Sequence, residues 1–354
     1  MTRARDLGLA LPGRPGTHNA LTDVPGVEVG YTTLVEGESV RTGVTAVLPR
    51  GRAGFAVPCA AGTSALNGNG EMTGTAWLAE TGSLTLPVLI TNTHAVGPAH
   101  RGVIDWVVRE RPDVAAEWLL PVVAETWDGY LNDINAPTLH SGHAVAAIDA
   151  ARPGPVAEGS VGGGTGMTCY GFKGGTGTAS RVVAHGADEY TVGVLVQANF
   201  GSRRELTVAG SPVGRSLTAD DPMADWAAAP AGAGSVIVVV GTDAPLLPGQ
   251  CTALARRVPL GLARTGTTGS HFSGDLFLAF STANPGALTS TFPRTAAAGY
   301  ESLRFVPWGR IDPFFEAVVQ AVEEAVLNAL VAGRETTGHR GRRVPALPLS
   351  HWLG

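Results

Sequence analysis

One short segment places a serine hydroxyl where the chain changes character. The segment is RTGTTGSHFSGDLFLAF, residues 264–280. Its first half consists mainly of small, polar residues and glycines, as in a flexible loop. The part from Asp275 onward has the apolar composition of a buried strand. Ser270 directly follows Gly269 and precedes that strand. A Gly-Ser pair before a strand is often a plain turn, so composition leaves both a structural and a chemical role open.

The sequence offers one way to activate the Ser270 hydroxyl as a nucleophile. The nucleophile elbow G-x-S-x-G is absent, since its nearest match, GTSALNG around Ser64, lacks the closing glycine. If the bond between Gly269 and Ser270 were cut, Ser270 would carry a free α-amine, whose pKa of about 7.7 to 8.0 suits a general base. Glycine also leaves the preceding carbonyl unhindered and tolerates the strained backbone of an N-to-O acyl shift. The residues therefore allow self-cleavage here, with a plain turn as the alternative.

Two glycine-rich loops fail to match nucleotide-binding motifs. GNGEMTG, residues 68–74, is one residue too long for the dinucleotide fingerprint and follows no strand that the sequence indicates. GGGTGMT, residues 162–168, lacks the lysine that a P-loop requires. We expect these loops to serve close backbone approach, either to a ligand or to another strand.

Histidine spacing does not indicate a metal site. His140 and His143 lie three residues apart and could share a helix face, but no carboxylate motif such as HExxH accompanies them. His94 lies where a strand is predicted to end, which suits either a ligand contact or a capping role. We therefore expect no bound metal.

Composition excludes several classes of protein. Hydrophobic residues make up 44% of the 354 residues and charged residues 16%, as expected of a compact enzyme-like chain. The net charge is −5 and no basic stripe is present, so we expect no nucleic-acid partner. No apolar run reaches signal-peptide or membrane-span length, which predicts a cytoplasmic protein without membrane association. The odd, widely spaced cysteines predict reduced, buried thiols: Cys59, Cys169 and Cys251.

Buried strands alternate with helices along the chain. Runs rich in Val, Ile, Leu and Thr predict strands at residues 44–49, 86–93, 191–200, 235–241 and 275–281. Helices are predicted after NTHAVG up to Pro112, at residues 141–151, at residues 251–258, and from the N-cap Asp312 to Gly333. The last helix should pack on a sheet, and the tail beyond it should lie over the surface. No linker or repeat divides the chain, so residues 1–354 are expected to form one α/β domain.

Eight sequence blocks together resemble the DmpA-type aminopeptidases, which include the β-peptidyl aminopeptidases. They run in the family's order from residue 22 to about residue 332 and so cover most of the chain. The blocks are TDVPGVEVGYTTL, ALNGNGEMTG, ITNTHAVG, PVVAETWDGYLNDIN, GSVGGGTGMTCYGFKGGTGTASR, VLVQANFG, GSHFSGDLFLAFSTAN and the closing helix.

The resemblance implies a self-processing hydrolase. Such a chain is cut between the residues that match Gly269 and Ser270, here giving fragments 1–269 and 270–354. The implied fold is a four-layer α/β/β/α sandwich like that of the N-terminal nucleophile hydrolases, with different connectivity. The implied activity is release of N-terminal residues from short peptides, amides or esters, without metal or organic cofactor. The processed heterodimers are expected to assemble into a homotetramer.

Site residues follow from the matching blocks. Ser270 matches the nucleophile, and Asn199 in QANFG matches the asparagine that donates to the oxyanion. Glu125 in AETWDG matches the glutamate that holds the substrate's α-ammonium group. Ser273 and Asp275 are expected only to shape the turn beside the nucleophile.

The chain departs from the family pattern at two places. Trp127 stands where one branch has an oxyanion-binding Tyr and another has Leu; an indole N–H can donate, and its bulk narrows the pocket. The Ser-x-Glu pair that supports the nucleophile in some members is absent from RFVPWGRIDPFF, residues 304–315. Two other functions stay open: an acyltransferase that uses the same acyl-enzyme, and a non-catalytic peptide-binding protein on the same scaffold.

Overall fold

A computed structural model of the chain describes residues 2–224, 226, 230, 232–293 and 299–349. Its strands are β1 Glu28–Glu36, β2 Val40–Leu48, β3 Cys59–Gly68, β4 Ser83–Leu84, β5 Val88–Asn92, β6 Val122–Thr126, β7 Thr168–Cys169, β8 Phe172–Lys173, β9 Gly175–His185, β10 Asp188–Asn199, β11 Gly234–Thr242, β12 Ser273–Ser281, β13 Thr336–Thr337 and β14 Arg343–Val344. Its α-helices are α1 Gly51–Gly54, α2 Thr75–Thr81, α3 Val96–Glu110, α4 Ser141–Asp149, α5 Pro248–Ala255, α6 Val258–Arg264 and α7 Asp312–Ala332.

The larger sheet has six strands in the order β4-β3-β12-β11-β10-β9. β12 lies inside it, parallel to β11 and antiparallel to β3. Three of the predicted strands, at 191–200, 235–241 and 275–281, are confirmed as β10, β11 and β12. Both faces of these strands are buried, which is why their sequences are nearly continuous apolar runs.

The smaller sheet has four strands in the order β1-β2-β5-β6. The predicted strands at 44–49 and 86–93 correspond to β2 and β5. β5 pairs with β6 in parallel, so the carboxyl ends of both strands meet at the same edge of the sheet.

The two sheets pack face to face between two layers of helices. Side chains from both sheets form the central core, among them Val47, Ile90, Ala124, Leu195, Ile237 and Phe280. Side chains on the outer face of the smaller sheet pack against α3 and α4, and those of the larger sheet against α5, α6 and α7. Neighbouring residues on one strand point to opposite layers, as Leu89 and Ile90 do on β5. The four-layer α/β/β/α sandwich is therefore confirmed.

The helices differ from the predicted ones in their bounds. The single helix predicted at 251–258 is two helices, α5 and α6, because Pro259 cannot continue an α-helix from the preceding turn. Asp312 is the first residue of α7 and not its N-cap, which is Ile311 and makes no side-chain capping bond. Asp312 still suits that position, since a carboxylate in the first turn interacts favourably with the helix dipole.

The segment after α7 is more closely packed than the predicted surface arm. It forms the short hairpin β13-β14, and the side chains of Val344 and Leu347 are buried. The backbone N–H of Lys173 donates to the carbonyl of Pro345 at 2.8 Å, which ties this segment to β8. The apolar residues among its prolines therefore belong to the core.

A buried ion pair joins α7 to the larger sheet. Arg181 on β9 donates to the Glu324 carboxylate at 2.7 Å, and both side chains are at most 2% exposed. Arg5 and Asn19, from the N-terminal segment, donate to the same carboxylate at 2.9 and 2.6 Å. One acidic side chain thus ties a helix, a strand and the N-terminal segment together.

We predict that Glu324→Ala lowers the free energy of unfolding by about 3–5 kcal/mol, because it leaves the buried Arg181 guanidinium without its carboxylate. The matched control is Asp105→Ala, which breaks an exposed pair with Arg101 and should cost about 0–1 kcal/mol. Urea unfolding of both variants measures the difference. Equal losses in the two variants would contradict the role given to Glu324.

Candidate active site

A cavity of about 960 Å³ lies where several strands of the two sheets begin or end. Its wall includes Gly68 at the end of β3, Asn199 at the end of β10 and Gly234 at the start of β11. The loop that precedes β11 and the loop that follows β3 also contribute. This volume is within the usual range for small-molecule sites.

Glu125 presents a buried carboxylate to this cavity. It lies near the end of β6 and is 2% exposed. Its Oε1 accepts the backbone N–H of Glu71 at 2.9 Å, and its Oε2 accepts the hydroxyl of Thr93. Burial raises the pKa of Glu125, and these two hydrogen bonds oppose the rise. A carboxylate held by neutral donors in a cavity is suited to bind a cationic group.

The Asn199 side chain is fixed in one orientation. Its Oδ1 accepts the backbone N–H of Thr168 at 2.8 Å. Its Nδ2 donates to the carbonyl of Trp127 at 2.8 Å and, at the longer distance of 3.4 Å, to the Ser235 hydroxyl. Because the acceptor and donor ends have different partners, the amide is not free to turn over. An amide fixed at the cavity wall suits the stabilisation of an oxyanion, which would compete with the long bond to Ser235 for one N–H.

Trp127 lies in an aromatic wall. Its ring centroid is 5.3 Å from that of Trp226, which in turn is 4.5 Å from that of Tyr130. All three residues line the cavity. The backbone N–H of Trp127 donates to the Ser235 hydroxyl at 2.9 Å, so the residue is held by its main chain as well as by its ring.

Ser270 lies at the margin of the cavity and not among its lining residues. Its carbonyl accepts the Asn67 amide at 3.0 Å and the backbone N–H of Ser273 at 2.9 Å. A Cβ placed on Gly232, which lines the cavity, would be 3.4 Å from the Cβ of Ser270. Gly269 has a φ of 73°, in the left-handed region that favours glycine. Glu125, Trp127 and Asn199 therefore share one cavity, with Ser270 beside it.

The two glycine-rich loops have different roles. Residues 68–74 follow β3 directly, so the expectation that no strand precedes them was wrong; this strand reads CAAGTSALNG, whose small and polar residues hide it. The loop lines the cavity through Gly70 and Glu71. The second loop packs between strands, since a Cβ on Gly163 would be 2.3 Å from Gln197 Oε1 and 2.7 Å from the carbonyl oxygen of Ile90. The first loop therefore lines the cavity, and the second packs closely against strands.

His94, His140 and His143 are not among the residues that line the cavity. The backbone N–H of His94 donates to Asn92 Oδ1 at 3.0 Å, in a capping arrangement at the end of β5. His140 and His143 stack with ring centroids 3.8 Å apart at the start of α4. Among the residues that the structure describes, no three His, Cys, Asp or Glu side chains come together as a metal-binding group. The three cysteines are buried free thiols, as predicted.

The model of one peptidase family matches nearly the whole chain, over residues 19–344. The chain belongs to peptidase family S58. The β-peptidyl aminopeptidase BapA of Sphingosinicella microcystinivorans is 49% identical to it, covering 98% of this chain and 89% of that protein.

Two solved structures are similar to this S58 peptidase throughout. A β-aminopeptidase of Burkholderia sp. is 47% identical, with a TM-score of 0.90 over 99% of this chain and 97% of its own. The L-aminopeptidase D-Ala-esterase/amidase of Ochrobactrum anthropi is 43% identical, with a TM-score of 0.90 over 99% and 96%. That enzyme is described as a prototype for the serine aminopeptidases and a new variant among the Ntn hydrolase fold. In the described ranges of the present chain, no helix is long and apolar enough to cross a membrane.

Several residues in or beside the cavity were not selected from the sequence. The Thr93 hydroxyl donates to the Glu125 carboxylate, and the Ser235 hydroxyl accepts the backbone N–H of Trp127. Thr93 stands in the block ITNTHAVG, at the end of a predicted strand, so its position was a usable signal. Ser235 is the first residue of a predicted strand, and nothing in its neighbours marks it. Trp226 lies outside every block.

We predict that Glu125→Gln raises the urea midpoint of unfolding at neutral pH. Burial raises the pKa of Glu125 in the folded protein, so ionisation of this acid lowers the free energy of unfolding at pH values above that pKa. Well below the ordinary value of 4.5, the acid is protonated in both the folded and the unfolded protein, and this loss of stability vanishes. The gain should therefore disappear in acid. The control is the exposed Glu80→Gln, which should shift neither midpoint. Destabilisation by Glu125→Gln at both pH values would contradict this assignment.

Proposed function

We propose that this S58 peptidase is a self-processing serine aminopeptidase with Ser270 as its nucleophile. The observation that carries the proposal is the pairing, in one cavity, of the Glu125 carboxylate with the fixed amide of Asn199, with Ser270 at the margin. A carboxylate selects a free α-ammonium group, and an amide N–H stabilises a developing oxyanion. The names of the relatives as aminopeptidases support the same reaction.

Self-cleavage begins with the Ser270 hydroxyl. Its oxygen attacks the carbonyl carbon of Gly269, an ester bond forms, and the peptide C–N bond breaks. The hydroxyl proton passes to the departing nitrogen, which becomes the α-amine of Ser270. Water then hydrolyses the ester, which leaves a carboxylate on Gly269 and restores the hydroxyl. The products are fragments 1–269 and 270–354.

The processed enzyme uses the same hydroxyl on its substrate. The α-amine of Ser270 accepts the hydroxyl proton as Ser270 attacks the carbonyl of the substrate's first residue, and then passes it to the leaving amine or alcohol. Asn199 donates to the oxyanion, and Trp127 contributes through its place in the cavity wall. Water attacks the resulting acyl-enzyme and releases the N-terminal residue. No step needs a cofactor.

The substrates are short peptides, amides or esters with a free amino terminus. Glu125 lies near the end of β6 and Trp127 two residues further on, so the ammonium site adjoins the aromatic wall. The side chain of the first substrate residue then contacts that wall, and the bulk of the Trp127 indole limits how it fits. The homotetramer of processed heterodimers stays a prediction.

We predict that the purified protein contains two fragments that separate between Gly269 and Ser270. Ser270→Ala removes the attacking oxygen and should give one uncut chain. Ser273→Ala, which removes the other serine hydroxyl of the segment, is the control and should still be cut. Intact-mass measurement checks all three proteins. A Ser270→Ala chain that is still cut would contradict the mechanism. A wild-type chain that is neither cut nor active would favour a peptide-binding protein.

We predict that Asn199→Ala lowers kcat on an amino-acid p-nitroanilide by roughly 10²- to 10³-fold, the usual effect of losing one oxyanion donor. KM should change much less, because the interaction strengthens only in the transition state. Rates are taken per mole of cut chain, so a processing defect does not enter. The control is Asn135→Ala, at an exposed site. A loss expressed mainly in KM would instead assign Asn199 to ground-state binding.

A further inference from the structure

The segment ahead of the proposed cut is held by hydrogen bonds, although its composition is that of a flexible loop. The Thr265 hydroxyl and the Tyr170 hydroxyl are 2.7 Å apart. The backbone N–H of Thr267 donates to the same tyrosine oxygen at 3.1 Å, and the N–H of Gly269 donates to the Thr267 hydroxyl at 3.1 Å. Tyr170 is fully buried, so the segment is fastened to the protein core.

Glu205 holds the segment two residues before Ser270. Its Oε1 accepts the Thr268 hydroxyl at 2.6 Å and the Thr268 backbone N–H at 3.3 Å. Its Oε2 accepts the backbone N–H of Ser202 at 2.9 Å. Burial acts to raise the pKa of Glu205, but the hydrogen bonds from Thr268 and Ser202 outweigh it and lower that pKa. The carboxylate is thus charged at neutral pH and makes strong, charge-assisted bonds.

Asn67 holds the chain on the other side of the bond. Its Nδ2 donates to the carbonyl of Ser270 at 3.0 Å and to Asp275 Oδ2 at 3.2 Å. Asp275 is buried, and its Oδ1 accepts the Ser273 hydroxyl at 2.6 Å. Burial raises the pKa of Asp275 to about 6, against the effect of these hydrogen bonds. Ser273 and Asp275 therefore shape the turn beside Ser270, as predicted.

The Glu205 carboxylate lies close to Ser270. A Cβ on Gly232 would be 3.4 Å from the Cβ of Ser270 and 3.9 Å from Glu205 Oε2. Between the Thr268 anchor and the Ser270 anchor lie only Gly269 and the bond that is to be cut. Fixing both ends of so short a stretch limits the orientations that the Ser270 hydroxyl and the Gly269 carbonyl can take relative to each other. Groups that are held in a reactive orientation react much faster than free ones.

We propose that Glu205 and Asn67 are positioning residues for self-cleavage, with Glu205 acting through the Thr268 hydroxyl. The inference rests on the proposed function, since it concerns the cut between Gly269 and Ser270. Neither residue reacts: Glu205 fixes the carbonyl side of the bond and Asn67 fixes the serine side. After the cut, the same contacts hold the two new chain ends.

Thr268 gives the sharpest test, because its side chain is exposed and its replacement does not threaten the fold. Thr268→Val keeps the shape but removes the hydroxyl that donates to Glu205, and Thr268→Ser restores a hydroxyl. Each full-length chain is made by cell-free synthesis, and the uncut fraction is followed over time by mass spectrometry. We expect cleavage to slow about tenfold or more in Thr268→Val and to stay within about twofold of wild type in Thr268→Ser.

A double variant separates positioning from general damage. Glu205→Ala should slow cleavage at least as much as Thr268→Val does, because it also removes the bonds from the backbone N–H groups of Thr268 and Ser202. Adding Thr268→Val to Glu205→Ala should slow cleavage no further, because the hydroxyl then has no carboxylate to bind. Asn67→Ala should slow cleavage further when it is combined with either. The matched control is Glu80→Ala, at an exposed acid on α2, which should cut at the wild-type rate.

The possible outcomes are distinct. A Thr268→Val chain that is cut at the wild-type rate, or a Thr268→Ser chain as slow as Thr268→Val, overturns the inference and leaves the proposed function standing. Additive effects of Glu205→Ala and Thr268→Val also overturn it, since they show that the two residues act separately. A wild-type chain that is never cut overturns the proposed function and the inference with it.

Discussion

The end of β6 is tied to the opposite sheet by two hydrogen bonds, and the site depends on them. The Ser235 hydroxyl on β11 accepts the N–H of Trp127 at 2.9 Å, and the Asn199 amide on β10 donates to the carbonyl of Trp127 at 2.8 Å. These bonds join the four-stranded sheet to the six-stranded sheet at the cavity. They fix Glu125, two residues earlier on β6, relative to Asn199. The groups proposed to bind and activate a substrate are therefore held on strands from both sheets.

The same arrangement explains why polar groups are tolerated in the core here. Glu125 and Asn199 are almost fully buried, but each of their hydrogen-bonding ends meets a partner on a neighbouring strand or loop. A buried carboxylate without a cation costs stability, which makes Glu125 costly unless it has a ligand to hold. Elsewhere in the core the comparable acid, Glu324, is neutralised by Arg181. Unlike Glu324, Glu125 opens onto the cavity, which fits the binding role proposed for it.

The sequence predicted the layers and the family better than it predicted the contacts. Strands β10, β11 and β12 could be found because they are buried on both faces and therefore apolar throughout. β9, which reads GTGTASRVVAH, was missed because its small and polar residues lack a strand pattern, although they allow close packing against α7. Ser270, Asn199 and Glu125 were selected through their blocks, and the structure brings them to one cavity or its margin. Ser235 and Glu205 were not, since each acts through contacts with residues distant in the chain, which no local pattern contains.

The anchoring of residues 265–270 also changes the view of the nucleophile. Composition indicates a loose loop that runs into a strand, whereas the hydrogen bonds of Tyr170, Glu205 and Asn67 hold the whole stretch against the core. Cleavage would then need little movement to place the free α-amine of Ser270 beside its own hydroxyl. The proposed chemistry of Ser270 would therefore depend on a glycine and two side-chain anchors that hold the chain just ahead of β12.

The most direct test of the account is to trap the acyl-enzyme. The purified enzyme is mixed with an excess of an amino-acid ester, quenched in acid during turnover, digested and analysed by mass spectrometry. The account predicts that the added acyl mass lies on a peptide whose first residue is Ser270, and that it is absent from the Ser270→Ala variant. Turnover accompanied by an acyl group on another residue, or by an intact bond between Gly269 and Ser270, would contradict it.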